Sequence, residues 1–179
     1  MLDTTKCCLV VVDVQGKLAE LMDNKESVFA NIEILIRTAK ALDFGIIWCQ
    51  QYPRALGPTI PQIAQLLTDS QPIDKFSFSC CGHDEFNNKL KELRPKQVIL
   101  CGIEAHVCIH QTAADLLDKD YEVHVIADAI SSRTPANKEI ALRRMEADGA
   151  LLSSTEMALF ELLRTAKHEK FKELMKLIK

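Results

Sequence analysis

Six apolar residues in a row, Cys7–Val12 (CCLVVV), narrow the fold more than any other feature of the chain. The run is too short for a buried helix and shows no polar alternation, so it reads as a strand buried on both faces, central in a sheet. Such strands belong to parallel sheets with helices packed on each side.

The rest of the chain repeats that theme. Val28, Ile32, Leu35, Ile36, Ala39 and Leu42 share one face of a helix predicted over 26–42. Gly45 restarts the chain into Ile46–Cys49, a second buried strand. A loop carrying Pro53, Gly57, Pro58 and Pro61 follows, with a short helix predicted over 63–67. A weaker strand is predicted over 73–78, then a helix over 84–93 stopped by Pro95. Val98–Cys101 is a fourth strand, ended by Gly102, and the next helix runs to about Lys119. Glu122–Ala127 is a fifth strand, ending at Asp128. A helix over 136–148 has Pro135 at its start and Gly149 just past its end. A sixth strand is predicted over 150–153, and two amphipathic helices, 155–164 and 169–178, close the chain. Strand and helix alternate throughout, which predicts one three-layer α/β/α domain with a mostly parallel six-stranded sheet. No GxGxxG or GxxxxGK[ST] is present, so the nucleotide-binding versions of this architecture lack support.

Composition excludes several classes. A net charge of −3, with no block of Lys or Arg longer than two, argues against a nucleic-acid partner. No apolar run approaches the ~18 residues of a membrane span. Asp3 stands where a signal peptide would be basic, so the expected location is intracellular, the cytoplasm first, with mitochondrion and nucleus open. Seven cysteines is an odd number, and no CxxC spacing suggests zinc, so a reducing compartment fits.

In an open parallel sheet, ligands bind beyond the carboxyl ends of the strands. Asp13 ends the first strand, Lys75 meets the third, and Cys108 lies in the first turns of the helix after the fourth. There the helix dipole favours an anion, which predicts a lowered thiol pKa for Cys108. A carboxylate, an ammonium and a thiol at one edge suit nucleophilic attack on an electrophilic carbon. Each has a plainer reading alone: Asp13 a cap, Lys75 a solvated surface group, Cys108 a packing residue. Their coincidence carries the argument. His106 and His110 flank Cys108 but lie two positions away, so they do not face it. They share a face with one another, which would suit a metal, and the plainer reading is two polar or interface histidines. The Cys80–Cys81 pair reads as part of an exposed loop.

With Asp13-Val14-Gln15, Lys75-Phe76 and Gly102-Ile103-Glu104-Ala105-His106-Val107-Cys108-Ile109 in view, the chain resembles the isochorismatase-like (cysteine hydrolase) superfamily over nearly its full length. Gln51-Tyr52-Pro53, Leu56-Gly57-Pro58-Thr59, Leu100–Ala105 and the ending from Phe171 to Lys179 resemble the small isochorismatase domain-containing proteins in particular. The resemblance implies a triad with Asp13 as general base, Cys108 as nucleophile and Lys75 as electrostatic partner. It also implies a cis peptide at Ile103–Glu104, an oxyanion hole from the N–H groups of Glu104 and Cys108, and a homo-oligomer. Nicotinamidases of the superfamily hold a metal through an Asp-x-His motif after the second strand. Cys49-Gln50-Gln51-Tyr52 stands there instead, so no metal and no cofactor are expected. Isochorismatases proper generally lack the nucleophilic cysteine, so Cys108 points to amide, ureide or carbamoyl chemistry on a small molecule. Gln15 and Phe76 are expected pocket residues by position alone. Rival readings are a non-catalytic interaction protein, a redox sensor with Cys101 as resolving cysteine, and, with least support, a nuclease.

Overall fold

The computed structural model describes residues 1–178. Six strands, β1 (Cys7–Val12), β2 (Gly45–Gln51), β3 (Ile73–Lys75), β4 (Gln97–Ile103), β5 (Glu122–Ser131) and β6 (Leu151–Ser153), form one sheet in the order β3-β2-β1-β4-β5-β6. Every neighbouring pair is parallel. The helices are α1 (Gly16–Glu20), α2 (Lys25–Ala41), α3 (Pro53–Leu56), α4 (Pro61–Ala64), α5 (Asp84–Leu93), α6 (His110–Leu117), α7 (Pro135–Ala147), α8 (Thr155–Leu163) and α9 (Phe171–Leu174).

The alternation along β1 shows why the run had to be apolar throughout. Leu9 and Val11 join Ile32, Ile36, Ala158 and Leu162 in a core between the sheet and α2 and α8. Cys8, Val10 and Val12 join Phe86, Leu90, Leu116 and Met145 in a second core beneath α5, α6 and α7. Either face of the strand is out of water, so a polar residue anywhere in the run would need a buried partner. Caps start the helices where predicted. Thr134 Oγ1 accepts from Asn137 N–H ahead of α7, with Pro135 in its first turn, and Ser154 Oγ accepts from Met157 N–H ahead of α8.

Several boundaries differ from the sequence reading. β3 is three residues rather than six, because the chain after Lys75 turns its carbonyls inward instead of pairing. β5 runs on past Asp128 to Ser131, with buried Ala129 and Ile130 and a register shift against β4. Asp128 does not end the strand; its Oδ1 accepts from Thr155 N–H and Oγ1 at the start of α8. The helix predicted over 63–67 lies at Pro61–Ala64, and the one predicted over 169–178 is regular only across Phe171–Leu174. α1 was not anticipated.

The sheet order reverses between β1 and β4: the chain moves outward through β2 and β3, returns to pair β4 with β1, and continues the other way. Two connections therefore leave the carboxyl edge in opposite directions, opening a crevice between them. Gly102 makes the β1–β4 approach possible. Its φ is +120°, and a Cβ there would lie 2.1 Å from the Val12 carbonyl oxygen.

Candidate active site

Asp13, the first residue beyond β1, enters the crevice with a left-handed backbone (φ 54°) and donates its N–H to the Cys49 carbonyl on β2, 3.0 Å away. Lys75 ends β3 two strands over. Its Nζ lies 2.7 Å from Asp13 Oδ2, 2.8 Å from Gln51 Oε1, 3.0 Å from the Phe78 carbonyl and 3.2 Å from that of Ser77. The side chain is fully buried. An ammonium removed from water requires such a cage, because an unpaired buried charge would be neutralised or expelled. The second oxygen of Asp13, Oδ1, is buried and accepts no hydrogen bond of ordinary geometry from protein.

Cys108 sits in a π-helical turn, Ala105–Ile109, between β4 and α6, rather than in the first α-helical turns anticipated. The thiol is buried and close enough to Asp13 for a side-chain hydrogen bond to influence both groups. Here one expectation fails. Burial, and then the Asp13 charge, push the Cys108 thiol well above its ordinary pKa, with Lys75 pulling the other way. Desolvation outweighs the favourable end of the helix and favours the neutral form of the Cys108 thiol. Burial likewise raises Asp13 against the pull of Lys75, which makes it a stronger base than a solvated carboxylate. Burial lowers Lys75, but Asp13 and the neighbouring thiols outweigh it, and its pKa ends above the usual value.

The Ile103–Glu104 peptide is cis. Among the described residues, neither the Glu104 N–H nor the Cys108 N–H donates to a group outside its own element. The Glu104 carboxylate accepts from Arg133 Nε at 3.0 Å and from its backbone N–H at 3.3 Å, which holds the turn against the end of β5.

The two expected pocket residues serve differently. Gln15 is fully buried: its Oε1 accepts from Gln51 N–H at 2.6 Å, and its Nε2 donates to the carbonyls of Gln51 (3.0 Å) and Gly57 (2.6 Å). Its amide ties the end of β2 and the loop after it to the loop after β1, with both its oxygen and its nitrogen engaged by backbone. Phe76 is three-quarters exposed and packs on Tyr52 with ring centroids 5.0 Å apart. Cys80 and Cys81 are buried, not in an exposed loop, and Cys80 N–H donates to Thr112 Oγ1, one turn beyond Cys108. Cys101 lies in the core on the opposite side of the sheet from Cys108, which removes the structural basis for a resolving pair between them.

Gln51 is the residue that sequence reasoning missed. Its Oε1 accepts from Lys75, and its Nε2 donates to the Phe76 carbonyl at 2.7 Å. It ends β2 as Asp13 follows β1, so a search for polar residues at every strand's carboxyl end would have found it.

The isochorismatase domain matches residues 7–157. The chain belongs to the isochorismatase family. It is 39% identical over 178 residues to isochorismatase domain-containing protein 2 of Danio rerio, covering 99% of this chain and 89% of that one. It is also 39% identical over 176 residues to the secreted isochorismatase effector Isc1 of Phytophthora sojae, covering 96% and 83%. Among solved structures, the MAR1 ribonuclease of Caenorhabditis elegans superimposes with a TM-score of 0.93 at 38% identity, covering 99% of this chain and 91% of that chain. Membership of the isochorismatase family supports a hydrolase-type activity.

Proposed function

We propose that this isochorismatase-family protein is a cysteine hydrolase that cleaves the C–N bond of a small amide, ureide or carbamoyl compound. One observation carries the reading: Asp13 gives one buried oxygen to Lys75 and keeps the other without a protein partner, beside the Cys108 thiol. A base with a free lone pair next to a protonated nucleophile is the arrangement proton transfer requires.

The reaction follows from the resting protonation states. As Cys108 Sγ bonds to the carbonyl carbon, its proton passes to Asp13. The oxyanion is held by the N–H groups of Glu104 and Cys108, and Lys75 opposes the developing negative charge. Asp13 then gives the proton to the departing nitrogen as the C–N bond breaks, leaving a thioester on Cys108. Water, deprotonated by Asp13, adds to the thioester; its collapse releases the acid and returns the proton to sulfur.

The nematode relative's name raises ribonuclease activity as a second possibility, so the deciding experiment includes RNA. Purified protein is incubated with a panel of primary amides, ureides and carbamates and with an RNA oligonucleotide, alongside Cys108→Ser. Ammonia release from one panel member, with an acyl adduct on Cys108 by intact mass, supports the proposal. RNA cleavage that disappears in Cys108→Ser, with no ammonia from the panel, overturns it in favour of a nuclease. No turnover of either kind leaves the interaction-protein reading in its place.

A further inference from the structure

Behind the turn that carries Cys108 lies a cavity of about 210 Å³, lined by His106, His110, Asn137, Ile140, Ala141 and Arg144. His106 and His110 come from the π-helical turn and the start of α6; the other four recur along one face of α7 at helical spacing. Cys108 lies two positions from each histidine, so this cavity and the active-site crevice address different faces of one turn.

Three polar side chains around the cavity, those of His110, Asn137 and Arg144, make no hydrogen bond within the protein among the described residues. His110 Nε2 is buried without a hydrogen bond, and its nearest carboxylate, Asp148 Oδ2, is 3.9 Å away and half exposed. Of the two adjacent arginines on α7, Arg143 pairs with Glu139, while Arg144 has no carboxylate or hydrogen-bond partner for its side chain among the described residues. The Asn137 amide is likewise unengaged, its backbone N–H alone serving the Thr134 cap. His106 uses Nδ1 on Ser132 Oγ at 2.9 Å, which fixes the ring. No carboxylate lines the cavity.

We infer that this cavity is a second binding site, separate from the Cys108 crevice, for a small oxyanion of the phosphate class, free or as a phosphomonoester. A guanidinium, an amide and two imidazoles are hydrogen-bond donors suited to an anion, and the guanidinium disfavours a metal cation. At about 30 Å³ per water, the space accepts a phosphate group and a small substituent, with Ile140 and Ala141 as the apolar wall. Bound there, an anion would bridge α7 to the turn that presents Cys108.

The test uses the full chain at constant ionic strength. Inorganic phosphate is titrated against a chloride control while the histidine and arginine side-chain resonances are followed by NMR, and the titration is repeated with phenyl phosphate. The expected result is one saturating curve shared by His106, His110 and Arg144, absent with chloride. Arg144→Met, at an exposed position, should weaken binding about tenfold or more, the loss of a charge-assisted contact, and His110→Gln should weaken it as well. Tighter binding of phenyl phosphate assigns the site to a monoester; equal binding assigns it to free phosphate. Shifts that follow ionic strength alike in phosphate and chloride overturn the inference. So does sedimentation showing the cavity closed by a second copy, with Arg144→Met dissociating it and phosphate without effect. None of these readouts depends on the hydrolase reading.

Discussion

Lys75 Nζ stands 2.7 Å from Asp13 Oδ2, and neither side chain has more than 2% of its surface in contact with solvent. The two residues are 62 positions apart in sequence and come from strands separated by β2. Their pairing ties the site to the fold, because each charge is tolerable only while the other is in place.

Lys75→Met should therefore cost stability, about 3–5 kcal/mol by the usual consequence of orphaning one partner of a buried pair. Burial already raises the Asp13 pKa, and removing Lys75 removes what opposes that rise. A carboxyl whose folded pKa exceeds its unfolded value favours folding at low pH and loses that contribution as pH rises through the folded pKa. The gap between Lys75→Met and the parent protein should thus widen from pH 5 to pH 8 in urea denaturation. A gap independent of pH would show that Asp13 is not the group left uncompensated.

Thiol reactivity gives a second, opposite pair of signs. The Asp13 charge raises the Cys108 pKa and Lys75 lowers it. Asp13→Asn should shift the pH profile of Cys108 alkylation by iodoacetamide toward lower pH, and Lys75→Met toward higher pH. Peptide mass spectrometry separates Cys108 from the other six cysteines. In the parent protein the rate should still be climbing above about pH 8.5, where a free thiol is half ionised.

On whichever substrate the panel identifies, Asp13→Asn should lower kcat by about 10²–10⁴-fold, the contribution of a positioned general base. Cys108→Ser should abolish the acyl adduct while leaving the fold intact, as judged by circular dichroism. A variant that lost its base yet kept kcat would remove Asp13 from the mechanism.

Gln51→Leu tests the cage around Lys75. It removes the acceptor at 2.8 Å from Nζ and the donor to the Phe76 carbonyl. The expected loss is about 0.5–1.5 kcal/mol, the net worth of a hydrogen bond, since Lys75 Nζ keeps Asp13 and the Ser77 and Phe78 carbonyls as acceptors, and it is read as a lower urea midpoint with an unchanged slope. Gln51→Glu keeps an acceptor for Lys75 and should recover part of the loss.

Gly102→Ala should be among the most damaging single-methyl additions in the chain. The new Cβ would meet the Val12 carbonyl oxygen at 2.1 Å, with φ at +120°. Backbone cannot yield as a side-chain tip does, so the cost should reach or exceed the upper part of the 1–3 kcal/mol range for overpacking, roughly 3 kcal/mol, and thermal unfolding measures it.

The sequence by itself determined the architecture, since an apolar run such as CCLVVV has few homes other than the middle of a parallel sheet. It also determined which edge of that sheet to inspect. From this followed Asp13, Lys75 and Cys108, because residue type and position at a strand's end are local properties. Tertiary structure decided the rest. The Cys108 pKa direction depends on how completely packing excludes water, which no helix-position argument contains. The turn after Lys75 left the sheet because its carbonyls were needed by an ammonium that had nowhere else to go. Gln15, a pocket residue by position, became a clamp between two loops, and Gln51, given no role at the sheet edge by its sequence, became a support of buried Lys75. Hydrogen-bond partners of buried polar groups are settled by which backbones meet, and that is known only once the chain has folded.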